Sequence, residues 1–274
     1  MAAVFLAAWV RQWRRADTGR WPTVAETAIG FFTNFFDTLG IGSFAPTTSA
    51  YKLRRLVADE LIPGTMNIGD SPPVILQAFI FVSLIAVEPI TLLVLMGAAV
   101  LGSWLGAGVV TRWPREKIRL GMGLGLLLAC LMMLLKNLDE LRGTPLVPGG
   151  DALGLPAPAL ALAAALIFVM GALVTLGIGL YAPCFIMVSL LGMDPRAAFP
   201  IMMGSCAFVM PAAGLRFLRS GRYEPGPALG LSLGGIPAVL IAAFIVKALP
   251  LVAVRWLVVG IVLYTSLLML RSET

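Results

Sequence analysis

The chain has 274 residues, of which 59% are hydrophobic and only 12% are charged, and its mean hydropathy is +0.94. Soluble domains carry about 25% charged residues, so this composition excludes an ordinary water-soluble protein and predicts a membrane protein. The net charge of +6 does not require a nucleic-acid partner, because the Lys and Arg residues stand in short segments between apolar runs, where membrane topology accounts for them.

The N-terminal segment, residues 1–22, predicts an interfacial helix on the cytoplasmic face of a membrane. Its apolar stretch, residues 2–10, is short for a bilayer span, which takes about 20 residues of helix. No small-residue cleavage site follows this stretch, so we do not expect a cleaved signal peptide. Trp9 and Trp13 stand close to three arginines, a combination typical of helices that lie in the interface.

Apolar runs that suit membrane helices recur from there to the end of the chain. They cover residues 78–87 with their flanks, 90–111, 120–135, 160–191, 199–217, 229–249 and 252–270. The three cysteines, Cys130, Cys184 and Cys206, fall within these runs. Their odd number argues against a disulfide framework, and we expect them to be buried small side chains.

An internal repeat divides the sequence. The segment Thr38-Leu-Gly-Ile-Gly-Ser-Phe-Ala-Pro46 matches Thr175-Leu-Gly-Ile-Gly-Leu-Tyr-Ala-Pro183 at seven of nine positions, with an offset of 137 residues. The predicted organisation is therefore an interfacial segment (1–22), a first transmembrane repeat (23–136), an external linker (137–158) and a second transmembrane repeat (159–274).

Each repeat opens with an apolar segment that is interrupted at its centre. The two segments, residues 24–57 and 160–192, carry the pattern Gly-x-Gly-x-x-x-Pro in the middle. Glycine weakens a helix interior and proline removes a backbone donor, so both segments are predicted to be broken helices. Each arm is short for a full span, which favours a hairpin that enters and leaves on the same side. Irregular backbone at membrane depth is tolerated only where protein or a watery cavity surrounds it.

The distribution of Lys and Arg distinguishes a spanning segment from a re-entrant one. The twenty basic residues divide ten to each side if the broken segments span, and fifteen to five if they are re-entrant. The positive-inside rule favours the uneven division. The fold class predicted is thus an all-α polytopic membrane protein with inverted repeats, each having one re-entrant segment and three transmembrane helices. Both termini are expected in the cytoplasm.

The repeat also predicts a class of site. Inverted repeats with broken helices are typical of secondary transporters, whose sites lie near the middle of the membrane. Pro46 and Pro183 suit the first position of a helix, where the missing donor would have no partner anyway. The amides that follow each proline, with the helix dipole, would form a positive pole. Two facing poles favour an anion.

Polar residues at membrane depth are costly and usually functional. Those within the apolar stretches are Asn34, Asp37, Thr38, Asn67, Asp70, Ser71, Gln77, Thr175 and Ser205. The predicted substrate-binding residues are Asn34, Asp37, Thr38, Gly40, Gly42, Ser43, Pro46, Thr47, Thr48, Ser49, Asn67, Asp70, Thr175, Gly177, Gly179, Tyr181, Pro183, Cys184 and Ser205. Three hydroxyl residues follow the proline of the first copy, so we expect the polar half of the site there.

Several of these residues have alternative roles. Asn34, Asp37 and Thr38 share one helix face by their spacing, but Asp37 is as well suited to capping a backbone group as to coupling an ion. Asp70 precedes two prolines and also suits a turn. The motif glycines have an alternative role in close helix packing, as we expect at Gly102.

The duplicated Gly-Ile-Gly-x-x-x-Pro segments, the four-segment halves and the basic stretch 216–222 resemble the TauE/SafE family of sulfite exporters. The resemblance covers the chain from about residue 24. It implies a permease of the bacterial inner membrane for sulfite or organosulfonates, with a site that includes Gly40, Gly42, Pro46, Gly177, Gly179 and Pro183. The sequence departs from the family's glycine-rich continuation, since Ser43-Phe-Ala and Leu180-Tyr-Ala stand there.

The expected function is therefore a secondary transporter that moves a small anion by alternating access, with protons as a candidate coupling ion. An anion channel is the alternative, because the same poles could line a pore. We do not expect an enzyme: the chain has no histidine, which excludes a Ser-His pair or a His-Glu-x-x-His metal site, and it has no nucleotide-binding loop. No cofactor, metal or nucleic acid is expected, the lipid bilayer is the expected surrounding, and the oligomeric state stays open.

Overall fold

The structure is a computed structural model whose regular elements are helices. It describes residues 1–15, 20–110, 150–174 and 180–271, and short groups of residues between 120 and 138. Its helices are α1 (Ala2–Arg15), α2 (Val24–Thr38), α3 (Phe44–Arg54), α4 (Ile62–Gly69), α5 (Ser71–Leu84), α6 (Pro89–Val110), α7 (Ala157–Val174), α8 (Tyr181–Leu190), a 3-10 turn (Pro195–Ala197), α9 (Ala198–Ser220), α10 (Pro225–Ala248) and α11 (Leu251–Arg271). The all-helical fold expected from the composition is confirmed over these residues. The β-type pairing among them is an isolated bridge between Ala152 and Met193.

Two helical stretches of the described chain are long and apolar enough to cross a membrane. They are Pro195–Ser220, with 26 residues, and Pro225–Ala248, with 24 residues. Shorter apolar stretches lie in α5, α6, α7, α8 and α11. A bilayer span takes about 20 residues of helix, so these elements are consistent with a helical membrane protein.

The chain forms two compact units. Unit 1 contains Met1–Ser83 and Met203–Lys247, and unit 2 contains Leu84–Met202 and Ala248–Thr274. Each unit therefore draws on both halves of the sequence. The division of the sequence into two repeats concerns internal similarity rather than compactness, and it stays a prediction.

Unit 1 is held together by close contacts of α2 and α4 with α10. A Cβ at Gly234 would lie 2.0 Å from the carbonyl oxygen of Thr27, and one at Gly30 would lie 2.6 Å from that of Gly230. Only glycine allows backbones to approach this closely. The N-terminal end of α2 is fixed by Glu26, which is buried, closes a capping box with Thr23 and pairs with Arg20.

The N-terminal helix α1 also belongs to unit 1. Its Phe5 and Trp9 are buried in a cluster with Ile68, Leu218 and Ala228. The segment expected to be an interfacial helix is therefore a helix with one side packed on the protein. Placement of its other side in the membrane interface stays a prediction.

Unit 2 is built around the pair α6 and α7. A Cβ at Gly102 would lie 1.9 Å from the carbonyl oxygen of Phe168, and one at Gly171 would lie 2.2 Å from that of Ala99. The packing role expected for Gly102 is confirmed. In the same unit α8 is buried from Tyr181 to Ser189. The expected burial of Cys130, Cys184 and Cys206 is confirmed, and none of the three is in a disulfide.

The α6 helix offers a matched test of this packing. Gly102→Ala should lower the free energy of unfolding by about 1–3 kcal/mol, because the new methyl group meets a backbone carbonyl that cannot rotate away. Gly97→Ala, in the same helix, places its Cβ where nothing lies within 4 Å. That variant should be unchanged or stabilised by up to about 1 kcal/mol through helix propensity. Thermal unfolding of the two purified variants checks this, and equal stabilities would contradict the close approach of α6 and α7.

Candidate functional site

The first Gly-x-Gly motif forms the turn between α2 and α3. The amide of Gly40 donates to the carbonyl oxygen of Asp37 at 2.8 Å, and the amide of Ile41 donates to that of Phe36 at 3.0 Å. These two bonds define a Schellman ending, whose residue after the cap takes a positive φ and is usually glycine. Gly40 has φ 96° and Gly42 has φ 91°. The break expected at this motif is confirmed, and both glycines are needed for its backbone.

The prolines of the two motifs do not occupy the position that their pattern predicts. The structure corrects the expectation that Pro46 and Pro183 begin helices: α3 begins at Phe44 and α8 at Tyr181, so each proline is the third helical residue. Proline is tolerated there because the amides of the whole first turn lack an intrahelical acceptor. The amide after each proline is already bonded, since Thr47 donates to the Ser43 carbonyl and Cys184 donates to the Leu180 carbonyl, both at 3.0 Å. The amides without an intrahelical acceptor precede the prolines instead.

The amino end of α3 is capped by a carboxylate from α2. The backbone amide of Ser43 donates to Asp37 Oδ1 at 2.7 Å. The other oxygen of Asp37, Oδ2, accepts from Gln77 Nε2 of α5 at 3.0 Å, and Gln77 Nε2 also donates to Thr38 Oγ1 at 2.8 Å. Asp37, Thr38, Ser43 and Gln77 are all at most 2% exposed. The positive pole expected for an anion is thus met by a carboxylate of the protein itself.

A second buried carboxylate joins the same group. Asp70, which is 0% exposed, caps the carboxyl end of α4. Its Oδ1 accepts from Asn34 Nδ2 at 3.0 Å, and its Oδ2 accepts from the Ser43 hydroxyl at 3.4 Å. Asn34, Asp37, Thr38, Ser43, Asp70 and Gln77 therefore form one buried cluster, which we call the carboxylate cluster. All six residues belong to unit 1.

The junction between α4 and α5 is positioned by a hydroxyl from α10. Pro73 has no amide to offer the carbonyl of Gly69, four residues earlier. Ser232 Oγ donates to that carbonyl oxygen at 2.6 Å. Buried backbone groups need a partner, so Ser232 replaces the missing helical bond and holds the chain next to Asp70.

The carboxylate cluster contains more acceptors than donors. Asn34 Oδ1 and Gln77 Oε1 are buried without a hydrogen-bond partner, as is the hydroxyl of Thr47 nearby in sequence. The ion pairs among the described residues join Arg20 to Glu26 and Lys52 to Asp59, and Asp70 belongs to neither. A buried carboxylate requires compensation by donors, protons or cations. Chemically, the cluster is suited to holding positive charge.

Other predicted residues of the first half lie apart from this cluster or at its margin. Thr48 is half-buried and its hydroxyl contacts Met66 Sδ at 3.5 Å. Ser49 is exposed. Asn67 is half-buried and donates to the carbonyl of Pro63 at 2.8 Å. Neither contact brings its residue to Asp37 or Asp70.

The predicted residues of the second half are described only in part. Thr175, Gly177 and Gly179 lie outside the described residues. Tyr181, Pro183 and Cys184 form the buried first turn of α8 in unit 2, and Ser205 is a buried residue of α9 in unit 1. Their role in binding stays a prediction.

Unit 2 carries a small cleft that the sequence analysis did not single out. It lies at the carboxyl end of α8 and is lined by Asn137, Ser189 and Arg255 among other residues. Asn137 Nδ2 and Ser189 Oγ are buried and lack a hydrogen-bond partner, while the Arg255 guanidinium donates to the Gly150 carbonyl at 3.5 Å. The cleft thus gathers hydrogen-bond donors and a positive charge.

Two residues of the site in unit 1 are absent from the predicted binding residues: Gln77, which the sequence marks only as a polar residue at membrane depth, and Ser232. Gln77 stands 40 positions from Asp37, and its signal was an amide side chain within an apolar run. Ser232 has no comparable signal of its own. The indirect signal is the pair Pro72-Pro73. Because prolines lack amides, the carbonyls one turn earlier are predicted to lack a helical donor, but the sequence does not identify which residue replaces it.

The contact between Ser232 and Gly69 is testable by a double-mutant cycle. Ser232→Ala should reduce the free energy of unfolding by about 1–3 kcal/mol, because a buried carbonyl loses its donor. In a Pro73→Ala background the restored amide reaches the same carbonyl, so the same change should cost less, with a coupling of about 1 kcal/mol or more.

Ser266→Ala is the matched control for this cycle. Ser266 is also buried, and its hydroxyl donates to the Leu263 carbonyl at 2.8 Å, which keeps its helical amide donor. That variant should be nearly neutral by thermal or denaturant unfolding. Additive effects of Ser232→Ala and Pro73→Ala would contradict the replacement of the helical bond by the hydroxyl.

No protein-family model, curated protein or solved structure matches the chain. The resemblance to the sulfite exporters therefore stays a prediction from the motif residues. The chemistry of the site is argued from its own buried groups.

Proposed function

We propose that the protein is a secondary transporter that moves a small anion across a bacterial inner membrane. The observation that carries the proposal is the break between α2 and α3. The break is formed by two glycines with positive φ, and buried carboxylate and amide side chains surround it. Glycine turns of this kind also end helices in ordinary bundles, but this one carries two buried carboxylates within an apolar chain, and transporters use discontinuous helices to expose backbone groups to their solutes.

Placement in a membrane is supported by the outer surface of the helices. Phe79, Leu93 and Phe244 are 70%, 68% and 70% exposed, and they lie on the apolar helices α5, α6 and α10. Monomeric soluble proteins rarely expose extended apolar patches. A lipid surrounding accounts for these side chains.

A two-fold relation of the repeats is supported by which helices pack together. The start of α8, Tyr181, follows the start of α3, Phe44, by 137 residues, the offset of the sequence repeat. By the same offset α2 corresponds to α7, and α6 corresponds to α10. The glycine contacts join α2 to α10 and α6 to α7. Each contact therefore pairs a helix of one copy with a helix of the other, the reciprocal pattern expected of two repeats related by a two-fold axis.

The donors that line the cleft of unit 2, rather than the pole of α3, favour an anion over a cation, and the cleft must widen to admit one because its free volume of about 20 Å³ is close to that of a single water. The pole of α3 already receives Asp37, whereas the cleft presents Asn137, Ser189 and Arg255. Donors and a guanidinium favour an oxyanion. Sulfite and organosulfonates are the substrates that the family resemblance implies.

The membrane potential supplies a driving force for such a substrate. A potential of 100 mV, negative inside, is worth about 2.3 kcal/mol for each negative charge that moves outward. Export of an anion can therefore run on the potential alone, while uptake requires a coupled cation or proton.

Flux into proteoliposomes tests the proposal. Sulfite, sulfoacetate, taurine and an unrelated carboxylate are offered with and without an imposed potential. We expect saturable flux selective for the sulfur oxyanions. Absence of flux for every anion, from protein shown to be folded, would remove the transport proposal, and single-channel currents would replace it with a channel.

Two glycine substitutions connect the flux to the helix break. Gly42→Val should abolish transport by distorting this turn locally, because a β-branched residue strongly disfavours the φ of 91° that the turn uses. Circular dichroism and size-exclusion chromatography check that the helices of the variant stay folded. The same loss is expected for Gly179→Val in the second copy. Gly260→Val is the control, since a Cβ there meets nothing within 4 Å. Full transport by the Gly42 variant would exclude the break from the mechanism.

A further inference from the structure

The carboxylate cluster concentrates negative charge in a buried place. Asp37 and Asp70 are 2% and 0% exposed, and the hydroxyl and amide of Ser43 contact both of them. The neutral amide of Asn34 also donates to Asp70, and the neutral amide of Gln77 also donates to Asp37. Two buried carboxylates this close to one another repel each other and lack bulk water to screen them.

The orientation of the two amides adds further acceptors. Asn34 Nδ2 donates to the Gly30 carbonyl oxygen and to Asp70 Oδ1, and both of these atoms are acceptors. Gln77 Nε2 donates to Asp37 and to Thr38, whose own hydroxyl donates to the Asn34 carbonyl at 2.7 Å. These partners fix the nitrogen side of each amide. The oxygens Asn34 Oδ1 and Gln77 Oε1 consequently face no donor, although both residues are fully buried.

Two helix carboxyl ends at the cluster add partial negative charge, whereas the amino end of α3 presents a positive pole to Asp37. The cluster lies at the carboxyl end of α2, where Asp37 and Thr38 form the last turn, and at the carboxyl end of α4, which Asp70 caps. Carboxyl ends of helices carry partial negative charge. In transporters, half-helix carboxyl ends are where sodium ions or protons bind.

We propose that the carboxylate cluster binds a sodium ion, held by the oxygens of Asp37, Asp70, Asn34 and Gln77. Carboxylate and amide oxygens are the ligands that hard cations take. The ion compensates the paired carboxylates and supplies a partner for the two amide oxygens. Its role as the coupling ion rests on the proposed transport function, whereas the binding itself does not.

Sodium fits the cluster better than a proton does. One proton on Asp70 or Asp37 supplies a single O–H donor, which leaves at least one of the two amide oxygens without a partner. A cation reaches several oxygens at once. Tightly held divalent metals use larger sets of charged ligands, and the described residues contain no cluster of three or more His, Cys, Asp or Glu side chains that is arranged to hold a metal ion.

The test is binding of sodium to the purified wild-type protein in detergent. Radioactive sodium binding and thermal unfolding are measured with sodium chloride against choline chloride at constant ionic strength, at pH 6 and pH 8. We expect saturable binding and a sodium-dependent rise in Tm, because a ligand that binds only the folded state stabilises it. No saturable binding by folded protein, with a Tm that depends on pH but is the same in both salts, would overturn the proposal in favour of a proton.

Substitutions locate the site. Asp37→Asn and Asp70→Asn preserve shape while removing one charge each, and both should lose sodium binding and the sodium-dependent Tm shift. Asp59→Asn is the control, because Asp59 is exposed and pairs with Lys52 at the surface. Sodium binding retained by both cluster variants, or lost in the control, would overturn the assignment.

The flux experiment separates this inference from the proposed function. Sodium binding without anion flux would keep the cation site and remove the transport function. Anion flux by a protein that binds no sodium would keep the function and overturn the site.

Discussion

The hydrogen bond from the Ser43 amide to the Asp37 carboxylate is the interaction on which the candidate site depends. It ties the carboxyl end of α2 to the amino end of α3 across a turn that only glycines can form. Asp37 also reaches Gln77 of α5, and Ser43 also reaches Asp70 at the end of α4. The broken helix is therefore not a loose connection. It is a hub where four helices share two carboxylates.

Glycine-mediated contacts supply the framework that keeps this hub in place. In unit 1 the α10 backbone approaches α2 at two contacts, Gly230 with Gly30 and Gly234 with Thr27. Ser232 lies between these contacts in the sequence, and its hydroxyl donates to the Gly69 carbonyl. Lipid gives no hydrophobic drive for helices to associate, so close van der Waals contact and interhelical hydrogen bonds must provide it. Helix α10 thus serves both the framework and the site, through residues only two positions apart.

The sequence predicts much of the fold and part of the site. Composition predicts an all-helical chain, the Gly-x-Gly motif predicts the break, and the i, i+3, i+4 spacing predicts a shared buried face for Asn34, Asp37 and Thr38. The start of α3 was wrong by two residues because proline is compatible with every position of the first turn. The contacts of Gln77 and Ser232 were not predictable, since they depend on tertiary packing that joins residues 40 and 163 positions apart.

The larger consequence of that tertiary packing concerns charge. An isolated α3 would present a positive pole that attracts an anion. In the folded unit this pole faces Asp37, and the Ser43 hydroxyl at the same helix end donates to Asp70. A substrate anion at this point would face two carboxylates at short range in a poorly screened interior, where like charges repel strongly. Any anion that came near the cluster would therefore need a cation to neutralise it first. Coupling of the two ions would then follow from electrostatics, because each would raise the affinity for the other by the same factor.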